Sequence, residues 1–216
     1  EGFTLNWYVE LFKDRSIMEA LKNTIIIAVL SSVGATVLGT AAAVGIFSMK
    51  PKLKNFMVNL TYLPVTYPEI VIGVSLLALY VGIGLPLGLW SIVLSHITFC
   101  VPFVVIAVLP KLYQLNPNLE EAAMDLGATP SQAFWKVLLP EIFPGVMTGM
   151  LLSFTLSLDD FLISFFTTGS GVNTLAIKIY SMTKVGVTPK INALTTIIFF
   201  TIFILLLLIQ GREKKV

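Results

Sequence analysis

The chain has 216 residues, of which 56% are hydrophobic and only 12% are charged, with a formal net charge of +2. Soluble domains carry roughly 25% charged residues. These values and a mean hydropathy of +0.90 exclude an ordinary soluble protein and indicate one polytopic integral membrane domain. The one cysteine, Cys100, lies in an apolar stretch, which excludes an internal disulfide and predicts a small buried hydrophobic residue.

Five segments are long and apolar enough to cross a bilayer, which takes about 20 residues as a helix. They show no strand-like alternation, so the predicted fold class is all-α. The first segment is rich in small residues that allow close helix packing, including Gly34, Gly39 and Gly45. Pro64 and Pro68 interrupt the second. The predicted spans are residues 24–48, 56–81, 89–109, 142–166 and 192–209.

The basic residues predict the orientation of these spans. Clusters follow the first and the last span, and they consist of Lys50, Lys52, Lys54, Arg212, Lys214 and Lys215. Both clusters lie on the same side if the spans alternate, and the positive-inside rule makes that side cytoplasmic. Residues 111–141 are then cytoplasmic as well, whereas the N-terminal segment and residues 167–191 lie outside.

This orientation divides the chain into three parts. We predict an extracytoplasmic segment at 1–22, a transmembrane domain at 23–210 that contains the cytoplasmic loop 111–141, and a cytoplasmic tail at 211–216. A start on the outside without a signal sequence fits a complete protein poorly. We therefore expect a further span before Glu1.

The cytoplasmic loop reads "NPNLEEAAMDLGATPSQAFWKVLLPEIFPG". Residues 119–126 favour a helix that ends at Gly127, and Thr129 followed by Pro130 favours the start of a second. Pro140 and Pro144 mark the return to the membrane. Such a helix–turn–helix suits docking into a groove on a partner. The alternative is an ordinary loop that folds on itself.

The same loop carries a family signature. It resembles the EAA-x3-G-x9-I-x-LP pattern of ABC importer permeases, with Val137 in place of the isoleucine. In that family the loop forms the coupling helix that sits in a cleft of the ATP-hydrolysing subunit. The residues that match the pattern are Glu121, Ala122, Ala123, Gly127, Leu139 and Pro140.

Three further stretches, "SHITFCVPFVV", "SFTLSLDDF" and "IKIYSMTKVGVTPKINAL", resemble the C-type permease subunits of bacterial spermidine/putrescine ABC importers. The resemblance runs from Asn23 onward. It implies the type I ABC importer transmembrane fold with six spans, in the bacterial cytoplasmic (inner) membrane. It also implies a sister permease, two copies of an ATP-binding subunit that hold ATP and magnesium, and an extracytoplasmic polyamine-binding protein. Apart from membrane lipids no other partner is expected, and no nucleic acid.

A polyamine path needs carboxylates that offset lost hydration and aromatic faces for cation–π contact. Only three acids lie within the predicted spans, namely Glu69, Asp159 and Asp160, and intramembrane acids are functional hypotheses by default. Glu69 follows a helix that prolines interrupt. Counted along a helix from Ile142, the aspartates lie roughly 26 Å into the bilayer, in its outer third.

The two aspartates share a polar side of their predicted helix. Ser153, Ser157, Asp160 and Ser164 follow helical spacing. Adjacent residues differ by about 100° around a helix, so one acid can face the path while the other holds a neighbouring helix or is protonated. Structural alternatives remain open: an ion pair with Lys178 or Lys184, or a cap where the helix frays. The predicted path residues are Asp159, Asp160, Glu69, Ser157, Trp7 and Tyr8.

Two aromatic residues and one histidine have competing interpretations. Trp7 and Tyr8 are predicted to lie outside, near the first span. They form either a cation platform at the entrance or an interfacial aromatic belt. His96 is more often a hydrogen-bonded packing residue than a proton relay.

The chain lacks Gly-x4-Gly-Lys-Ser/Thr and any metal-ligand cluster, so we expect no enzyme and no cofactor of its own.

The predicted function is a permease subunit of an ATP-driven polyamine importer. The alternative is a proton-coupled secondary transporter of a cationic solute, with Asp159, Asp160 and His96 as a relay. A further alternative is an importer of iron or phosphate, but an anionic substrate would require basic residues in the spans, which are absent.

Overall fold

The computed structural model describes residues 6–186, 189–197, 199 and 200. Regular secondary structure in this part of the chain is helical, as the sequence predicts. The chain divides into two compact units. We call residues 24–172 the central unit, and residues 1–23 with 173–216 the terminal unit.

Ten α-helices have defined bounds within the described residues, with a π-helical turn at Phe134–Leu138 before the eighth. A further helical stretch covers residues 189–197. In chain order the helices are α1 (Asn6–Lys13), α2 (Arg15–Phe47), α3 (Pro51–Thr66), α4 (Glu69–Gly82), α5 (Leu89–Gln114), α6 (Leu119–Asp125), α7 (Pro130–Ala133), α8 (Leu139–Asp159), α9 (Leu162–Thr167) and α10 (Leu175–Val185).

Helix α5 forms the middle of the central unit and packs against α8, α9 and α3. Its Val104 is fully buried between two glycines, Gly39 of α2 and Gly149 of α8. A Cβ atom on Gly39 would lie 2.5 Å from Cβ of Val104, and one on Gly149 would lie 3.1 Å from its Cα. The predicted close packing of small residues is therefore confirmed at Gly39, whereas Gly45 has open space beside it.

The second predicted span is a bent pair of helices and not one straight helix. Helices α3 and α4 meet at an angle of 102°. Pro68 disfavours helical backbone at the residue before it, and Tyr67 is indeed extended, with φ −80° and ψ 147°. The bend makes Glu69 the first residue of α4.

The two ends of the central unit can be told apart by their contacts. At one end, Nζ of Lys54 lies 5.6 Å from the ring centroid of Tyr113, so the start of α3 meets the end of α5. At the other, Ser91 Oγ donates to the carbonyl of Thr167 at 2.7 Å, so the start of α5 meets the end of α9. The lysine cluster after the first span therefore lies at the same end as residues 111–114, as the predicted orientation requires.

The terminal unit is held by its own apolar cluster and by ion pairs. Leu11, Ile17, Leu175 and Leu194 are among its buried residues. Lys190 reaches two acids beside α1, at 3.6 Å from Glu10 and 3.9 Å from Asp14. Asp14 also accepts hydrogen bonds from the hydroxyl and the backbone N–H of Ser16, at 2.8 and 3.2 Å. The hydroxyl bond is the largest factor that lowers the pKa of Asp14.

Among the described residues, three helices are long and apolar enough to cross a membrane. They are Arg15–Phe47, Leu89–Gln114 and Pro130–Asp159, and the bent pair makes a fourth if it counts as one span. They correspond to the first four predicted spans. Most of the fifth predicted span, 192–209, lies outside the described residues.

Candidate functional site

The helix that carries the two aspartates is broken at Asp160. Helix α8 ends at Asp159, Asp160 has extended backbone with φ −61° and ψ 129°, and α9 begins at Leu162. The expectation of one continuous span over 142–166 is therefore wrong at this point. The side chain of Asp160 competes with the helix, because it accepts the backbone N–H groups that would otherwise bond to carbonyls of α8.

The carboxylate of Asp160 is surrounded by donors from the protein. It accepts the N–H of Ile163 at 3.3 Å and the N–H of Ser164 at 2.8 Å, which caps α9. Nε2 of His96 lies 3.2 Å from Oδ2. Only 2% of the side chain is exposed, so the cap that the sequence analysis kept as an alternative is what Asp160 forms.

His96 of α5 is the centre of this buried polar cluster. It is 1% exposed. Its Nδ1 lies 2.6 Å from Ser157 Oγ, and its Nε2 lies 3.0 Å from Ser164 Oγ. An ionised carboxylate only accepts hydrogen bonds, so Nε2 carries a hydrogen toward Asp160. His96 is thus a hydrogen-bonded packing residue, the interpretation that the sequence favoured over a relay.

The predicted serine stripe meets α5 along its whole length. Ser157, Asp160 and Ser164 all contact His96, and Ser153, which is fully buried, accepts the thiol of Cys100 with its carbonyl at 3.6 Å. Cys100 is fully buried, as predicted. Among the residues of the central unit, the side-chain partner of Asp160 is His96. We call His96, Ser157, Asp160 and Ser164 the His96 cluster.

Asp159 and Glu69 have the opposite environment. Both side chains are exposed on the central unit. Glu69 lies within electrostatic range of both Asp159 and Asp160. Two predicted path acids, Glu69 and Asp159, are therefore near each other and open to the surroundings, whereas the third is enclosed.

A glycine contact holds α4, which begins with Glu69, against α9. A Cβ atom on Gly73 would lie 3.1 Å from Cδ2 of Phe166 and 3.3 Å from the carbonyl oxygen of Leu162. Glycine lets the two backbones approach closely. The position of Glu69 relative to the aspartates thus depends on this contact.

Trp7 and Tyr8, the predicted aromatic platform, belong to the terminal unit. Both lie on α1 and are partly buried against the apolar cluster that contains Leu11 and Ile17.

The predicted helix–turn–helix of the cytoplasmic loop is confirmed. Helix α6 ends at Asp125, and Gly127 follows with φ +92°, a conformation that favours glycine. Thr129 and Gln132 form a capping box at the start of α7: the hydroxyl of Thr129 accepts the N–H of Gln132 at 3.3 Å, and the amide oxygen of Gln132 accepts the N–H of Thr129 at 3.0 Å.

The tip of this loop exposes apolar and acidic side chains. Leu126 is 92% exposed, Glu121 and Ala122 are exposed, and Ala123 is partly buried. Leu139 and Pro140 begin α8, directly after the π-helical turn at Phe134–Leu138. Docking of this tip on a partner stays a prediction.

Within the described part of the chain, no group of three or more His, Cys, Asp or Glu side chains is arranged to hold a metal ion. The sequence grouped His96 with the aspartates only in the proton-relay alternative, and it did not predict that His96 holds Asp160 in place. The signal for that contact was the single histidine at the depth of a serine stripe on another helix.

The family model described as "Binding-protein-dependent transport system inner membrane component" matches residues 35–212. The chain is 40% identical over 216 residues to the spermidine/putrescine transport system permease protein PotC of Escherichia coli (strain K12), covering 99% of this chain and 82% of that one. It is 38% identical over 225 residues to the putrescine transport system permease protein PotI of the same strain, covering 99% and 80%.

The fold is also that of a solved transporter. An inward-facing structure of the MetNI methionine ABC transporter matches with a TM-score of 0.72 at 21% identity, over 87% of this chain and 90% of that one. This likeness shows the ABC transporter permease fold. The family match and the apolar helices make the protein a multi-pass component of the inner membrane. The chain belongs to the family of inner membrane components of binding-protein-dependent transport systems.

Proposed function

We propose that this chain is the permease subunit of an ATP-driven polyamine importer that carries spermidine and putrescine. The observation that carries the proposal is the pair of exposed carboxylates, Asp159 and Glu69, which lie near each other at breaks in two apolar helices. The polyamine class rests on its likeness to PotC and PotI, whose names state those substrates.

Carboxylates in this position suit a flexible cation. A polyamine that leaves water needs negative charge at intervals along its path, and acids at membrane depth mark such paths. Exposure keeps Asp159 and Glu69 hydrated between transport events, so binding stays weak enough for release. We further propose that Trp7 and Tyr8 add aromatic faces for cation–π contact near the entrance.

The chain couples to its ATPase through the cytoplasmic loop. Glu121, Ala122 and Ala123 of α6 and the turn at Gly127 dock in a cleft of an ATP-binding subunit, and Leu139 and Pro140 pass the movement to α8. Two copies of that subunit bind ATP and magnesium, one for this chain and one for a sister permease. The chain itself performs no hydrolysis.

The outer surface receives cargo. A polyamine-binding protein docks on the extracytoplasmic segments, which the charge distribution assigns to residues 1–22 and 167–191. The same rule places the C-terminus in the cytoplasm. Closure of the ATPase pair then rocks the spans between two states, which is coupling between distant sites through a two-state element.

The test uses the assembled transporter in vesicles. We expect ATPase activity to rise when polyamine-loaded binding protein is added, and spermidine uptake to require ATP. Uptake that persists without ATP and collapses with the proton gradient would instead identify the proton-coupled alternative. Membership of a binding-protein-dependent family favours the importer.

A further inference from the structure

Asp160 is enclosed by donors from the protein. It accepts two backbone N–H groups, and Nε2 of His96 lies 3.2 Å from its Oδ2. A polyamine ammonium that approached Asp160 would have to displace one of these donors from a side chain that is 2% exposed.

The same bonds determine the conformation of the chain at the break. Asp160 is extended because its side chain holds the N–H groups of Ile163 and Ser164. His96 ties that side chain to α5, and Ser157 orients the imidazole ring through Nδ1 at 2.6 Å. Asp159 is the last residue of α8, directly before this fixed point, and its side chain is exposed.

We infer that His96 is a positioning residue of the cargo path: through Asp160 it fixes the break between α8 and α9 and so holds Asp159 at its exposed position beside Glu69. Ser157 and Asp160 then act through His96 and do not contact the polyamine. This inference rests on the proposed function, in which Asp159 and Glu69 meet the cargo.

The variants distinguish the effect of displacing Asp159 from the effect of removing its charge. His96→Leu removes both ring nitrogens at similar volume, whereas His96→Gln keeps an N–H donor near the place of Nε2. Asp160→Asn removes the charge and replaces one of the two acceptor oxygens with an NH2 group, so it weakens the bonds that hold the break. Asp159→Asn removes a charge that is proposed to contact cargo. Thr98→Val is the matched control on α5, because Thr98 is exposed and its hydroxyl bonds only to the carbonyl of Leu94 in its own helix.

The readout is the ratio of spermidine transported to ATP hydrolysed, in vesicles that contain the complete transporter with loaded binding protein. Partial misfolding lowers uptake and ATPase activity in proportion and leaves this ratio unchanged. A displaced Asp159 lowers uptake while the binding protein still stimulates hydrolysis. The ratio is thus insensitive to a merely structural role.

We expect His96→Leu to lower the ratio at least about tenfold, the change given by loss of one hydrogen bond to a charged group. His96→Gln should restore most of it, and Thr98→Val should match the wild type. Asp160→Asn should lower the ratio as well, but it should add little to the loss in a His96→Leu background, because both changes break the same contact. An unchanged ratio in His96→Leu, or a further loss as large as that of Asp159→Asn when Asp160→Asn is added to His96→Leu, overturns the inference.

The wild type distinguishes this failure from failure of the proposed function. If the wild type shows no ATP-dependent spermidine uptake, the function is wrong and the inference falls with it. If the His96→Leu chain does not assemble into the transporter, Ser157→Ala tests the inference instead, because it removes only the hydrogen bond to Nδ1 of His96. A lowered ratio then supports the inference, and an unchanged ratio overturns it.

Discussion

Asp159 and Asp160 are neighbours in the chain but have opposite environments. Two backbone N–H groups and Nε2 of His96 enclose Asp160, whereas Asp159 is exposed. A buried charge is tolerated only when its lone pairs are satisfied, and the His96 cluster provides that satisfaction. At the residue scale, Asp160 therefore stabilises the break between α8 and α9, and Asp159 remains available to contact the proposed cargo.

The charge of Asp159 should matter more than its size. Asp159→Asn removes the negative charge that offsets the lost hydration of the cargo, so we expect spermidine uptake to fall about tenfold or more, as for loss of a charge-assisted contact. Asp159→Glu keeps the charge and should retain most of the uptake. Initial rates at saturating loaded binding protein measure both, and equal rates in all three proteins would contradict the proposed contact.

Glu69 should act with Asp159 and not independently of it. Glu69→Gln alone should lower uptake, and the double variant with Asp159→Asn should lose less than the product of the two single effects, because both acids share one cation. A double-mutant cycle on uptake rates measures this coupling. Strictly multiplicative losses would place the two acids at separate steps.

At the element scale, glycine contacts decide how the helices pack. Gly73 brings α4 onto α9, and Gly39 and Gly149 enclose Val104 of α5. These contacts leave no room for a side chain, so each of them fixes the distance between two helices. The contact at Gly73 also determines where Glu69 lies.

Gly73→Leu should separate α4 from α9 and displace Glu69. Overpacking of this kind costs about 1–3 kcal/mol of stability, and uptake should fall as well. Gly82→Leu is the matched control on the same helix, because a Cβ atom there meets nothing within 4 Å. Thermal unfolding and uptake of the assembled complex check both. A Gly73→Leu protein as stable and active as Gly82→Leu would show that the contact is unimportant.

The exposed tip of the cytoplasmic loop should serve the ATPase and not the fold. Leu126→Ser should leave the stability of the permease unchanged, because the side chain is already 92% exposed. It should weaken co-purification of the ATP-binding subunit and lower ATPase stimulation. Leu126→Met, which keeps an apolar side chain, serves as the control. Full ATPase binding by Leu126→Ser would exclude the tip from the docking surface.

At the scale of the whole molecule, the two ends of the central unit should face opposite sides of the membrane. A cysteine at Leu126 should react with an impermeant maleimide only from the cytoplasm, and one at Ile83, after α4, only from outside. Both positions are exposed, while the native Cys100 is fully buried and should stay unlabelled in the parent protein. Labelling of Leu126→Cys from outside would reverse the proposed orientation.

Much of the architecture could be predicted from the chain because the bilayer restricts the choices. The length of the apolar stretches predicts the first four spans. The positions of the lysines predict that Lys54 and Tyr113 lie at the same end of the helices. Gly127 and Thr129 predict the helix–turn–helix. Each of these features follows from a short stretch of sequence, because the lipid bilayer and the backbone geometry act on that stretch directly.

The sequence by itself determined that the chain is a helical membrane protein with three acids in its predicted spans and a helix–turn–helix loop. Only the tertiary structure decided what each acid does. Helical spacing placed Asp160 with Ser157 and Ser164, but the break at Asp160 arises from a partner on another helix, His96. A pattern along one helix does not show which helix packs against it, and the energy of a buried carboxylate depends on those neighbours.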